Sequence, residues 1–114
     1  MSAFTELLAS VMRQRGVTAC LVVDEADGVV VDSTLQFGMR GNVFAALIAS
    51  LFRKARQSAA AAGFGDAEFL TLEAERGRVC AVGGNGLVLI AVADLRANLG
   101  LLRVELLQSR GSLA

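Results

Sequence analysis

The sequence predicts a three-layer α+β domain with the element order α-β-β-α-β-β-β-α. Three observations predict it. Three windows repeat apolar residues at helical spacing. Between them lie short β-branched runs that are apolar at consecutive positions, as in a sheet covered on both faces. Finally, turns rich in Asp, Asn and Gly separate neighbouring runs, which makes them antiparallel hairpins.

Ser2 to Arg15 reads as the first helix. Ser2 is placed to cap it, Glu6 suits its positive end, and Phe4, Leu7, Leu8, Val11 and Met12 share one face. Gly16 is expected to end it in a left-handed conformation. Val17 to Asp24 is a strand, Asp27-Gly28 a turn, and Val29 to Asp32 the returning strand. Thr34 to Gly41, containing Phe37, Gly38 and Met39, is a short connection. Asn42 is then expected to cap a long helix reaching about Ala62 and closed by Gly63. Its wide apolar stripe is Val43, Phe44, Leu47, Ile48, Leu51, Phe52 and Ala55.

Three strands follow at Ala67–Glu75, Arg78–Gly83 and Leu87–Ala93, joined at Arg76-Gly77 and at Gly84-Asn85-Gly86. Asp94 is expected to cap a last helix with Leu95, Leu99, Leu102 and Leu106 on one face. Gly100 within it is expected to let the helix approach the sheet closely. Without linkers or repeats, residues 1–114 read as one domain.

Composition excludes several classes of function. Eleven basic and eleven acidic residues give no net charge and form no basic stripe, so nucleic acid is not an expected partner. The apolar run from Gly86 to Ala93 falls far short of the roughly 20 residues of a membrane span. No basic-then-apolar export signal opens the chain, and the expected location is cytoplasmic. With no histidine, the commonest general base and the Ser-His and Cys-His pairs are absent. Cys20 and Cys80 lie in apolar strand runs and are expected to be buried and reduced, without metal or redox chemistry. Asp24, Glu25 and Asp27 mark a solvated hairpin tip; a calcium loop starting there would need a glutamate where Leu35 stands. Gly83-Gly84-Asn85-Gly86 lacks the lysine and following helix of a phosphate loop. No catalytic residue, cofactor or metal is expected, and the chain is not read as an enzyme.

Surfaces carry the functional expectation instead. The strand from Ala67 to Glu75 is placed at a sheet edge, and it has no proline, lysine or obvious bulge to blunt that edge. Pairing with its own copy across a two-fold axis would involve Phe69, Leu70, Thr71 and Leu72. Phe44, Leu47 and Leu51, too many to lie flat on one small sheet, would pack against the partner's equivalent helix. Phe52, Arg53 and Arg56 are candidate contacts for a further partner, with Lys54 between them.

The stretch Cys80-Ala-Val-Gly-Gly-Asn-Gly-Leu-Val-Leu-Ile-Ala-Val-Ala-Asp-Leu-Arg-Ala-Asn-Leu-Gly-Leu-Leu-Arg-Val-Glu-Leu-Leu107 reads as strand, turn, strand and helix. It resembles the C-terminal half of a roadblock/LC7 domain, and the order and spacing of elements are similar to that family across nearly the whole chain. Ala91 to Leu106 is most similar to bacterial members. The resemblance implies a profilin-like, five-stranded antiparallel sheet with the first and last helices on one face and the long helix on the other. It also implies a homo- or heterodimer through the edge strand and the middle helix, and a non-catalytic regulator or adaptor of a small Ras-like GTPase, in a GTPase-activating or effector-scaffold role. The alternative it leaves open is a structural scaffold, like a motor light chain, that binds a peptide or a second roadblock chain. A small-ligand sensor is disfavoured because no polar groups converge on a pocket.

Overall fold

The computed structural model describes residues 3–35 and 40–113. The expected cap at Ser2 and the connection through Phe37, Gly38 and Met39 lie outside the described residues. The elements are α1 (Thr5–Met12), β1 (Val17–Asp24), β2 (Val30–Leu35), α2 (Gly41–Ala61), β3 (Leu70–Ala74), β4 (Gly77–Gly84), β5 (Leu87–Ala93) and α3 (Leu99–Ser109). A 3-10 turn, Arg110–Leu113, follows. The five strands form one antiparallel sheet in the order β2-β1-β5-β4-β3.

Strand periodicity builds the layers. Side chains alternate across a sheet, so β1 sends Ala19, Leu21 and Val23 to one face and Cys20 and Val22 to the other. β5 does likewise, with Val88 and Ile90 opposite Leu89, Ala91 and Ala93. α2 covers the first face with Ala45, Ile48, Ala49 and Phe52. α1 and α3 cover the second with Leu7, Leu8, Val11, Leu102 and Leu106, and Leu113 of the terminal turn completes that layer. Each fully buried Val, Leu, Ile or Phe among them contributes about 1.5–3 kcal/mol. The doubly covered centre, β1 and β5, therefore dominates stability, which explains why these two strands match their expected bounds residue for residue.

Helix ends depart from expectation. α1 stops at Met12, and Gly16, although left-handed at φ 83°, lies beyond it, its carbonyl accepting from the Asp94 amide at 2.8 Å. Arg40 is the N-cap of α2, so Asn42 sits inside the first turn instead of capping it. Asn98, not Asp94, caps α3: its side-chain oxygen accepts from the Leu101 amide at 3.0 Å. Asp94 is occupied by Arg96, and Leu95 is left exposed outside the helix. Gly100 does not serve close packing, because it is exposed and a Cβ there would meet only Asn98 Oδ1 at 3.4 Å.

The β4–β5 turn needs two left-handed residues and has them in Asn85 and Gly86, at φ 55° and 75°. The β3–β4 turn uses Glu75 and Arg76, and Gly77 already pairs with Ala74 as the first residue of β4.

Candidate interaction site

The two sheet edges differ. β2 carries a register shift, with Val22 opposite Asp32 but Val23 opposite Val30, so Val31 is the extra residue of a bulge. The bulge and the charge at Asp32 both discourage pairing with another strand. β3 pairs with β4 without a shift from Leu70↔Ala81 to Ala74↔Gly77, and its other side is a sheet edge. Phe69 and Thr71 lie on the α1/α3 side, while Leu70 and Leu72 lie on the α2 side. Glu73 spends its charge on its neighbour Arg78 at 3.3 Å.

α2 lies mainly over β1, β2 and β5, which leaves the β3 end of that face poorly covered. Leu70 and Val79 are only half-buried there, and Leu72 is 38% exposed. The same helix turns Val43, Leu47 and Leu51 outward at four-residue spacing, 57%, 64% and 37% exposed. Phe44 is half-buried between the two faces of the helix. Thus the expected dimer residues fall on one edge and on the adjoining helical stripe.

Phe52 corrects the expectation of a partner contact: it is fully buried, its ring seated against Gly83, where a Cβ would lie 2.6 Å from Cε1. Helical geometry explains the difference, because Phe52 follows Ala45, Ile48 and Ala49 onto the sheet-facing side. Arg53 and Arg56 are also tied within the chain. Arg53 donates to the carbonyls of Glu25 and Ala26, holding the β1–β2 turn. Arg56 donates to Glu25 at 2.6 Å and to Asp66 at 2.8 Å, joining that turn to the α2–β3 loop. These bonds hold the Asp66 carboxyl below its usual range and raise the Arg56 guanidinium further. The two arginines line an open cleft of about 490 Å³ together with Gln57, Ala60 and Gly65.

Sequence reasoning passed over the loop beside this cleft. α2 ends in a Schellman motif, with the Phe64 amide donating to Ala59 at 2.9 Å and that of left-handed Gly63 to Ala60 at 3.0 Å. Phe64 follows, 85% exposed. A phenylalanine flanked by glycines just past an all-alanine helix end was a readable signal.

Both cysteines are buried and unpaired by disulfide. Desolvation pushes the Cys20 thiol up to about 12 and raises Cys80, whose thiol is hydrogen-bonded to Thr71. Among the described residues no group of three or more Cys, Asp or Glu is placed to hold a metal, and no helix is long and apolar enough to cross a membrane.

The roadblock/LC7 domain model matches residues 3–94 of the chain. An uncharacterised protein of Methanocaldococcus jannaschii, MJ0310, is 28% identical over 100 residues, 88% of this chain and 87% of that protein. A roadblock/LC7 domain from Streptomyces avermitilis superposes with a TM-score of 0.85 at 21% identity, over 95% of this chain and 92% of that one. The gliding protein MglB of Thermus thermophilus gives a TM-score of 0.86 at 20% identity, over 98% of this chain and 86% of that one.

Proposed function

The chain belongs to the roadblock/LC7 family, and from that premise we propose that it is a non-catalytic homodimer that regulates or scaffolds a small Ras-like GTPase in the cytoplasm. Residues 1–114 act as one roadblock unit. In the dimer β3 pairs with its own copy through Phe69, Leu70, Thr71 and Leu72, and the sheet runs on across two chains. The α2 helices meet over the seam through Phe44, Leu47 and Leu51. One observation carries the reading: a lengthwise apolar stripe on α2 adjoins the one described sheet edge that lacks a bulge.

The GTPase supplies the phosphoryl-transfer chemistry, and the dimer holds its switch loops in place. Arg53 and Arg56 contribute as positioned groups at the cleft mouth, where Arg56 keeps 42% of its side chain exposed. Titration calorimetry with a purified Ras-like GTPase of the same host, loaded with GDP or a non-hydrolysable GTP analogue, tests the reading. Binding that differs between the two nucleotide states is expected. Binding to neither state removes the GTPase from the reading and leaves the scaffold alternative.

A further inference from the structure

The open edge of β3 has a definite hydrogen-bonding phase. Asn85 and Gly86 form a two-residue turn, so the pair they close, Gly84↔Leu87, is hydrogen-bonded. Alternation along β4 then aims the amides and carbonyls of Gly77, Val79 and Ala81 at β3. Their partners Ala74, Leu72 and Leu70 use their own backbone groups inside the sheet. Thr71 and Glu73 therefore turn theirs to the open edge.

A two-fold axis normal to the sheet keeps the α2 side of one chain beside the α2 side of its copy. Axes at Thr71, Leu72 or Glu73 all match outward bonding groups with outward bonding groups. An axis at Thr71 uses only Leu70–Leu72 of the strand. One at Glu73 uses only Leu72–Ala74 and sets two carboxylates face to face. An axis at Leu72 pairs the whole strand: Leu70 with Ala74, Thr71 with Glu73, and Leu72 with itself. Leu72 then forms a non-hydrogen-bonded pair, the closer kind, and its exposed side chain covers its own copy beside the α2 stripe.

The charges just outside the strand favour the same axis. Before β3 comes Glu68, then Phe69, whose ring lies 4.9 Å below the Arg103 guanidinium of α3. After β3 comes the turn Glu75-Arg76. Among the described residues Glu68, Glu75, Arg76 and Arg103 are exposed and form no ion pair within the chain. With Leu72 on the axis, the start of each strand lies beside the turn of the other. Arg103 then faces an acid on the α1/α3 side, and Glu68 faces a base on the α2 side.

We propose that Leu72 stands on the two-fold axis of the dimer and that Arg103 closes each end of the seam by pairing with Glu75 of the partner subunit. This rests on the homodimer proposed above and is independent of the GTPase. The edge is thereby fitted to a second copy of this chain, because a strand without that order of charges would leave Arg103 and Glu75 unmatched.

Cysteine crosslinking of the full chain tests the register. Leu72→Cys, Thr71→Cys and Glu73→Cys are each made in a Cys80→Ala background, since Thr71 lies opposite Cys80 within the hairpin. Cys20 is buried and adds no accessible thiol. Under mild oxidation Leu72→Cys is expected to give a covalent dimer on non-reducing gels ahead of the other two. With the axis at Leu72, the two copies of residue 71, or of residue 73, are offset beyond the roughly 7 Å a disulfide can span. Faster crosslinking by Thr71→Cys or Glu73→Cys overturns the register while the dimer stands. No crosslinking by any of the three, at dimer mass and wild-type circular dichroism, overturns pairing through β3. Wild type at single-chain mass removes the register and the homodimer together. In sedimentation equilibrium Arg103→Glu should raise the dimer Kd several-fold, and adding Glu75→Arg should recover most of that loss. A double variant no tighter than Arg103→Glu alone overturns the ion pair.

Discussion

Cys20 shows how far burial alone fixes a residue's behaviour. Its neighbours in β1 are apolar, its strand lies between two others, and the thiol ends in the layer under α1 and α3. Desolvation raises it from the ordinary value near 9 to about 12, so the folded state resists losing a proton that the unfolded chain gives up readily. The sign follows: the contribution is fully present below pH 9 and is lost as pH rises toward 12, at up to about 1.4 kcal/mol per pH unit. Cys80, also raised, adds in the same direction. The chain has no tyrosine and Lys54 is its single lysine, so few other groups titrate in this window. Denaturant midpoints from pH 8 to 12 should therefore fall for wild type and fall less steeply for Cys20→Ala. Parallel slopes would show that the thiol is not held neutral by the fold. The burial of both cysteines was legible from their apolar runs, whereas the inward turn of Phe52 depended on which side of α2 meets the sheet.

Among the elements, legibility followed burial. β1 and β5 are covered on both faces, so their apolar runs mark their bounds. The sequence places β3 at Ala67–Glu75, and the strand spans only Leu70–Ala74, because an edge strand ends where its single neighbour stops pairing. The start of the last helix departs from expectation because Asp satisfies turns as readily as caps. Asp94 takes the Arg96 amide in a turn of its own, and the helix begins only after Asn98. Asn98→Ala should accordingly cost about 1 kcal/mol in chemical denaturation, and Asn98→Asp should keep most of that stability. Equal loss from Ala and Asp at this position would mean that the Asn98 oxygen does not serve as the cap.

At the scale of the whole molecule, the sheet has a protected edge and an unprotected one, and the largest outward stripe of α2 adjoins the second. Stable interfaces bury about 800 Å² per partner, roughly an eighth of the 6533 Å² that this chain exposes. Leu47, Leu51 and Leu72, with the neighbouring strand edge, are the surface on which such an area would centre. The expected particle in light scattering has twice the 11.9 kDa chain mass. Leu47→Glu combined with Leu72→Glu should return it to a single chain at unchanged circular dichroism, because both side chains are already solvent-exposed and neither supports the core. Val31→Glu, an equally polar change on the bulged β2 edge, should leave the dimer intact. The comparison separates a specific seam from general stickiness: dissociation by the β2 variant, or wild type running at single-chain mass, would deny β3 and α2 the role proposed for them.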